Sequence, residues 1–475
     1  MKATFMKLAR RGAIAVVAAG LVWVADDTRA DTLADALVGA YGHSGLLEQN
    51  RALLRAADED VATAVAALRP IINWTADVTR DFGTDVSTGR FSVGRRDLGQ
   101  TTASLGLVAQ LLLWDDGAVE NSGAAAKETV LATRQTLIGI EQQILLRAIS
   151  AFMSVREAAE FVALRQNNTR LLTEELRAAK DRFEVGEVTR TDVALAEAAL
   201  AEARSGLAQA EGGLVLAQEE YINAVGRRPG TLATPPRLPR LDNDVVSAKA
   251  LAVRVHPDLK SVQHQVAASE LRILAAQGQM SPKVNLTGRV NLIEDLGSRG
   301  YTHAGSVGVE VTGPVYRGGQ LSSAVRKAIA QRDAGRANLY VVQHNIRQNV
   351  GNAYAQFAAA QASLQASDQR IQASRIAFRG VREEAQLGAR TTLDVLNAEQ
   401  QLLNAEASRI QAQTQLYVAA YQVLAATGRL TATDLGLKVP QYDPAAYYNI
   451  VKDAPTARSK QGRKLDRVLR ALQKE

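Results

Sequence analysis

The sequence predicts a mainly α-helical chain made of two copies of one unit, each with two β-strands suited to a membrane. Three observations support this fold class. Residues 182–203 (RFEVGEVTRTDVALAEAALAEA) and 384–405 (EAQLGARTTLDVLNAEQQLLNA) align at a constant offset of 202 residues. Long stretches space their apolar residues with a helical period, and four short segments switch to strict alternation. The repeat offset of 202 residues is too long for a solenoid repeat, so one large unit has been duplicated.

The first thirty residues are typical of an export signal. A basic start precedes an uncharged apolar run from Ala13 to Ala25, which is too short to span a membrane. Cleavage is expected after Ala30. The predicted organisation is a signal peptide at 1–30, a first structural repeat at 31–240, a second at 241–437 and a basic C-terminal tail at 438–475.

The predicted helices of the two halves have matching proportions. The first half is expected to contain a helix of about 40 residues from Asp31 to Arg69, a helix of about 66 residues at 117–182 and a return helix at 187–226. The second half is expected to place helices at 245–280, 319–384 and 389–428. Because each return helix is shorter than its partner, we expect the first helix of each half to stack end to end on it.

Four segments alternate apolar and polar residues, as expected for strands of a membrane-spanning barrel. They lie at 72–78, 103–113, 284–292 and 307–311, and residues 80–98 are predicted to be a loop. A soluble sheet edge is the other interpretation of the same alternation. Four strands cannot close around a water-filled pore, so a barrel would have to be shared between subunits.

The repeated motif predicts the tip of a helical hairpin in each half. Gly186 can take the positive φ that ends a helix, and Thr189 can cap the next helix with Asp192 completing a capping box. The second copy has the same residue types at Gly388, Thr391 and Asp394. Capping is therefore one interpretation of both aspartates.

Composition argues against an enzyme and against a nucleic-acid-binding protein. The formal net charge is +7, but residues 452–475 alone hold eight basic and three acidic residues. That tail is predicted to be a short amphipathic helix or a disordered segment, and a solvated tail is favoured over a dedicated binding arm. Cysteine is absent, the five histidines are scattered, and no phosphate-binding or nucleophile motif occurs. No catalytic residue, cofactor or metal is predicted.

The repeated G-x-x-T-x-x-D-V, the GPVYRGG run at 313–319 and the export signal together resemble the TolC family of outer-membrane efflux and secretion ducts. The likeness covers residues 31–437. It implies a homotrimer in which each subunit gives four strands to a shared twelve-stranded transmembrane β-barrel. It also implies that the helices form a long periplasmic tube of coiled-coil hairpins, closed at its far end by the hairpin tips.

The resemblance also implies gating residues. Asp394 matches the first acidic position of the family's constriction ring, and Asn397 stands at the second, so a less negative ring is expected. Arg390 matches the arginine that holds the closed state, and its partners match Thr191 and Asp192; we predict that Arg390 pairs with Asp192 or with the backbone around it. Two further expectations concern the same region: Ala385 replaces the constriction tyrosine, and an adaptor docks at the tips formed by Gly186, Thr189, Gly388 and Thr391.

The predicted function is a passive, porin-like channel that serves as the outer-membrane exit duct of a tripartite system for type I protein secretion, multidrug efflux or both. Its expected partners are two further copies of the chain, outer-membrane lipid, a periplasmic adaptor (membrane fusion) protein and an inner-membrane ABC or proton-driven pump. Without a cysteine for a lipid anchor, the chain is more similar to the secretion branch. The alternative is a periplasmic coiled-coil scaffold without a pore, which would not need the four alternating segments.

Overall fold

The computed structural model of the protein describes residues 30–89, 92–97, 99–242, 244–297 and 300–472. The predicted export signal lies outside the described residues except for Ala30. Ten helices and six strands follow one another in the described part of the chain, and the fold is mainly helical. No described helix is both long enough and apolar enough to cross a membrane.

The helices of the two halves correspond in length and order. The first half contains α1 (Leu33–His43), α2 (Gly45–Ala66), α3 (Ala118–Glu184) and α4 (Arg190–Val225), and the second contains α5 (Val245–Val255), α6 (Pro257–Gly278), α7 (Gln320–Gln386) and α8 (Thr392–Ala426). Both α3 and α7 have 67 residues. At the helical rise each spans about 100 Å.

Each predicted first helix is in fact two helices, so the expectation of one unbroken helix at 31–69 and at 245–280 is wrong. Ser44 ends α1 and caps α2, because its hydroxyl accepts a hydrogen bond from the Leu47 amide at 3.3 Å. His256 separates α5 from α6, and Pro257 occupies the first position of α6. Proline is favoured there because the first turn of a helix needs no amide donor.

The expected end-to-end stacking is present and involves the second helix of each pair. Helix α4 ends at Gly226 beside His43, at the α1–α2 junction, and α2 continues along α3 towards the strands. In the second half, Gly428 after α8 lies beside His256, and α6 continues along α7. The paired helices therefore cover the full length of α3 and α7.

Four strands form one antiparallel sheet in the order β1-β4-β5-β6. The strands are β1 (Ile71–Asp81), β2 (Thr84–Gly89), β3 (Ser92–Asp97), β4 (Gln100–Trp114), β5 (Lys283–Asp295) and β6 (Tyr301–Thr312). The prediction of a loop at 80–98 is wrong, because β2 and β3 pair as a separate hairpin. This hairpin explains why α5 begins 212 residues after α1, whereas the return helices are only 202 residues apart.

The predicted alternation of faces holds across the sheet. Trp74 pairs with Leu107, which pairs with Val290, so these three apolar residues share one face. The register shifts between Leu112 and Trp114, and Trp114 pairs with Val284. This β-bulge interrupts the alternation predicted through Leu113.

The C-terminal tail contains two helices, α9 (Pro444–Val451) and α10 (Lys460–Leu472). Of the two interpretations of this tail, the amphipathic helix is the one observed for residues 460–472. Leu465 and Leu469 of α10 pack against a cluster formed by Ala62, Tyr447 and Val451. The tail is thus attached to α2 just before the chain enters the sheet.

Candidate functional site at the hairpin tips

The tip between α3 and α4 is built by two successive local signals. The Gly186 amide donates to the Phe183 carbonyl at 3.0 Å and the Glu187 amide to the Arg182 carbonyl at 2.9 Å, with Gly186 at φ 79°. These bonds satisfy the last carbonyls of α3. Thr189 then caps α4 in a capping box with Asp192, as predicted.

The tip between α7 and α8 repeats this geometry. Gly388 has a φ of 79°, and the Ala389 amide donates to the Glu384 carbonyl at 2.9 Å. The Asp394 carboxylate accepts from the amide and the hydroxyl of Thr391 at 3.0 and 2.8 Å. The capping interpretation of both aspartates is therefore confirmed, and their role in a constriction ring stays a prediction.

Hydrogen bonding keeps both capping carboxylates charged. The Thr391 amide, followed by the Thr391 hydroxyl, lowers the pKa of Asp394 below its usual value. Asp192 shows the same effect, with the Thr189 hydroxyl as the largest cause and Thr392 of the other tip as a smaller one. Negative charge at a helix N-terminus is favourable. Both tips thus present a stable anion at neutral pH.

Arg390 makes no pair with Asp192 within the described residues of one subunit, and a pair between neighbouring hairpins of a trimer stays a prediction. Its Nε donates to Glu384 Oε2 at 2.8 Å instead. Glu384 lies six residues earlier, in the last turn of α7, so the hairpin itself brings the two side chains together. This bond raises the pKa of Arg390, and the guanidinium stays charged.

The two tips enclose an open cleft of about 630 Å³. Its walls include most of the predicted site residues, and among its lining residues are Asp192, Arg390, Thr189, Thr391 and Gly388. Ala385 also lines it, at the position where the resemblance implies a tyrosine. Thr191 and Asn397 are exposed on the neighbouring helix surfaces.

Val185 and Leu387 add apolar surface to the tips. Both stand directly before the tip glycines, and they are 72% and 86% exposed. Apolar side chains this exposed at matching positions are typical of a contact surface. Together with Gly186 and Gly388 they form the outermost turn of each hairpin.

A buried carboxyl near the tips was missed by the sequence analysis. Glu399 on α8 is 4% exposed and accepts a hydrogen bond from the Asn168 side chain on α3 at 2.7 Å. Burial raises its pKa to about 7 despite that hydrogen bond. The equivalent residue of the first repeat, Glu197, is exposed and pairs with Lys180 at 2.9 Å. The repeat alignment made the two glutamates look alike.

No group of three or more potential metal ligands occurs among the described residues. The carboxylates of Asp192 and Asp394 are each engaged in capping hydrogen bonds. The arrangement is therefore suited to protein contacts and to electrostatic interaction, since it presents exposed apolar residues and fixed anions at one end of two long hairpins.

Comparison with known proteins agrees with this description. The family model described as outer membrane efflux protein matches residues 40–227 and 250–429. The outer membrane efflux protein BepC of Brucella suis is 35% identical over 443 residues, which cover 93% of this chain and 95% of BepC. The alkaline protease secretion protein AprF of Pseudomonas aeruginosa is 24% identical over 298 residues, covering 61% of this chain and 60% of AprF.

Solved structures show the same fold. The CmeC outer membrane channel of Campylobacter jejuni superposes with a TM-score of 0.74 at 14% identity, covering 90% of each chain. The chain belongs to the outer membrane efflux protein family, and its resemblance to TolC-like channels is confirmed. It is a channel protein of the outer membrane with a large periplasmic part, and not an enzyme.

Proposed function

We propose that three copies of this chain form an exit duct that carries cargo from the periplasm across the outer membrane. The observation that supports this most directly is the open four-stranded sheet. Its edge strands β1 and β6 have no partner strand within the described chain. Unpaired edges are satisfied by pairing with another strand, and β6 of one copy beside β1 of the next gives a closed twelve-stranded sheet.

The exposure of the sheet supports the same assembly. Trp74 is 71% exposed, Val307 81% and Val309 62%, all on the apolar face. Lipid is the environment that such a face prefers, while the opposite face carries polar residues suited to a water-filled lumen. Asn73, Thr75, Arg289 and Asn291 lie on that polar face.

The proposed duct extends through the periplasm along α3 and α7, about 100 Å each. A periplasmic adaptor protein docks on the tips formed by Gly186, Thr189, Gly388 and Thr391, where the exposed Val185 and Leu387 offer apolar contact. An inner-membrane ABC or proton-driven pump supplies the energy. The export signal at 1–30 directs the chain to the periplasm.

Two classes of cargo are proposed, proteins of type I secretion and small toxic molecules. The name of AprF refers to protease secretion and the name of BepC to efflux. Because the duct itself only guides, the pump and adaptor select the cargo.

The proposed gate lies at the tips. In a trimer, three copies of Asp394 line the constriction, and Asn397 leaves the second ring position neutral. Arg390, Asp192 and Thr191 hold neighbouring hairpins together in the closed state. The bond between Arg390 and Glu384 within one subunit competes with that contact.

Single-channel conductance in a planar bilayer tests this proposal with the purified mature chain. We expect small, cation-preferring steps. Asp394→Asn keeps an acceptor for the Thr391 amide and reduces cation preference, whereas Arg390→Ala enlarges the steps. Asp443→Asn is the matched control, because Asp443 caps α9 far from the tips and its change leaves conductance unaltered.

Two outcomes have separate meanings. A chain that never inserts would overturn the duct and favour the periplasmic scaffold. Insertion with both tip variants unchanged would retain the duct and overturn only the placement of the gate.

A further inference from the structure

Helix α10 carries a concentrated positive charge that makes no ion pair within the described chain. Its thirteen residues include five basic side chains and one acidic side chain, Asp466. All five cations are exposed: Lys460, Arg463, Lys464, Arg467 and Arg470. At 100° per residue they fall within about 120° of the helix circumference. One face of α10 is therefore a basic strip about 15 Å long.

The opposite face of α10 fixes it to the rest of the protein. Leu465 and Leu469 pack on Tyr447 and Val451 of α9 and on Ala62 of α2. The Tyr447 hydroxyl donates to Glu59 Oε1 at 2.7 Å and so attaches α9 to α2. The basic strip is thus held outward by packing of the leucines.

The attachment places α10 at the start of the sheet. Arg69, two residues before β1, donates from its guanidinium to the Ala454 carbonyl in the connection between α9 and α10 at 3.0 Å. Ala62 lies less than ten residues before β1. The helical ends of the strands are therefore the part of the sheet nearest to the basic strip.

We propose that the basic face of α10 is a docking site for anionic phospholipid headgroups in the periplasmic leaflet of the outer membrane. This inference rests on the proposed function, because the start of the strands marks the periplasmic membrane surface only if the sheet crosses the membrane. Guanidinium and ammonium ions bind phosphate through charge-assisted hydrogen bonds. Clustered cations beside a spanning segment are attracted to anionic lipid within about 8 Å, the Debye length at physiological salt.

Position favours lipid over other anions. The basic strip lies beside the strand ends, whereas an adaptor meets the opposite end of the molecule. Helix α10 contains no aromatic residue on which a nucleic-acid base could stack. Cell-wall carboxylates and a neighbouring copy of the chain are the competing occupants, and the experiment below separates them.

The test compares backbone hydrogen exchange of residues 460–472 in lipid nanodiscs that contain the full mature chain. One set of discs contains phosphatidylcholine alone and the other about 30% phosphatidylglycerol. We expect exchange to be at least about threefold slower in the anionic discs, with the difference lost at high salt because the attraction is screened. Insertion into the discs is scored separately by size and secondary structure.

Charge reversal supplies the specific variant and its control. Arg463→Glu, Lys464→Glu and Arg467→Glu together should abolish the dependence on phosphatidylglycerol. The control variant carries Arg177→Glu, Arg204→Glu and Arg370→Glu on exposed positions of α3, α4 and α7, and it changes the net charge equally. This variant should keep the dependence on phosphatidylglycerol.

Each remaining outcome contradicts the proposal in a distinguishable way. Equal exchange in both disc types after normal insertion would overturn lipid docking and leave the duct in place. Exchange in detergent as slow as in the anionic discs would overturn lipid docking and assign the protection to contacts within the protein. Slowing only by added peptidoglycan fragments would assign the strip to the cell wall. A chain that does not insert would overturn the proposed function itself.

Discussion

Asn168 on α3 donates a hydrogen bond of 2.7 Å to Glu399 on α8, and this contact joins the first hairpin to the second near their tips. Glu399 is 4% exposed, and its second oxygen, Oε2, has no hydrogen-bond partner among the described residues. Around it lie Glu175, which raises its pKa, and Arg382, which lowers it. Burial is the largest influence, so the carboxyl is favoured in its neutral form.

The neutral form of Glu399 makes stability depend on pH. Its pKa is raised from 4.5 to about 7 in the folded state, so between these values the unfolded chain loses a proton that the folded chain keeps. The contribution of Glu399 to stability is therefore greatest below pH 4.5 and falls as pH rises to about 7, by about 3 kcal/mol.

We expect Glu399→Gln to stabilise the protein at pH 8 and to have little effect at pH 4, because the neutral amide retains the hydrogen bond from Asn168 without an ionisable group. Thermal unfolding followed by circular dichroism at both pH values measures the difference. Glu197→Gln is the matched control on the other return helix and should not change the pH trend. Asp58, with a pKa raised to about 6 by burial, leaves part of the trend in place. An unaltered trend in Glu399→Gln would contradict this assignment.

Gly226→Ala should destabilise the junction between α4 and α2. Gly226 has a φ of 87°, and an added methyl group would lie 2.3 Å from a ring carbon of His43. The left-handed backbone alone costs about 1–2 kcal/mol for alanine, and the overlap adds to it. Gly212→Ala is the control, because Gly212 lies inside α4 with open space around it, and we expect a gain of about 0.5–1 kcal/mol. A melting temperature that falls equally in both variants would contradict the junction argument.

Thr391→Val should loosen the start of α8. The valine has the shape of threonine but cannot accept from the Asp394 amide or donate to its carboxylate, as Thr391 does. Loss of such a cap costs about 1 kcal/mol. Hydrogen exchange at 391–395 should accelerate, while Thr391→Ser, which keeps the hydroxyl, should match the unmodified protein. Faster exchange in both variants would implicate the methyl group rather than the cap.

Tyr447→Phe should release the C-terminal helices. The variant loses the hydrogen bond from the Tyr447 hydroxyl to Glu59 and retains the ring that packs beside Val451. A hydrogen bond to a charged group contributes about 1.5–3 kcal/mol. We expect faster proteolysis at 444–472 with little change in the exchange of α3. Tyr448→Phe, one residue further along α9, is the control. If both variants resist proteolysis as well as the unmodified chain does, apolar packing alone holds α9.

Local signals allowed the tips and the four main strands to be predicted from sequence. A glycine at positive φ, a threonine cap and an aspartate three residues later act within one turn, so the duplicated motif predicted both tips. The breaks at Ser44 and His256 carried similar local signals, a capping hydroxyl and the proline after His256. They were missed because the apolar pattern continues on both sides of each break.

Contacts between distant segments could not be predicted in the same way. Glu197 and Glu399 occupy equivalent positions, yet one is exposed on a single hairpin and the other is buried where α8 meets α3. Only the way the two hairpins pack distinguishes them. Arg390 likewise has Glu384 within reach in the same subunit, a competitor that the family resemblance does not indicate.

Because α3 and α7 are equal in length, both halves of the chain together set the distance from the sheet to the hairpin tips. Both helices have 67 residues, and α2 and α6 both have 22. Removing one heptad from α7 alone would draw its tip back by about 10 Å and break the contact between Asn168 and Glu399. An insertion or deletion that changes the distance between membrane and tip must therefore occur in both repeats. That distance then evolves by equal changes in the two copies of the unit.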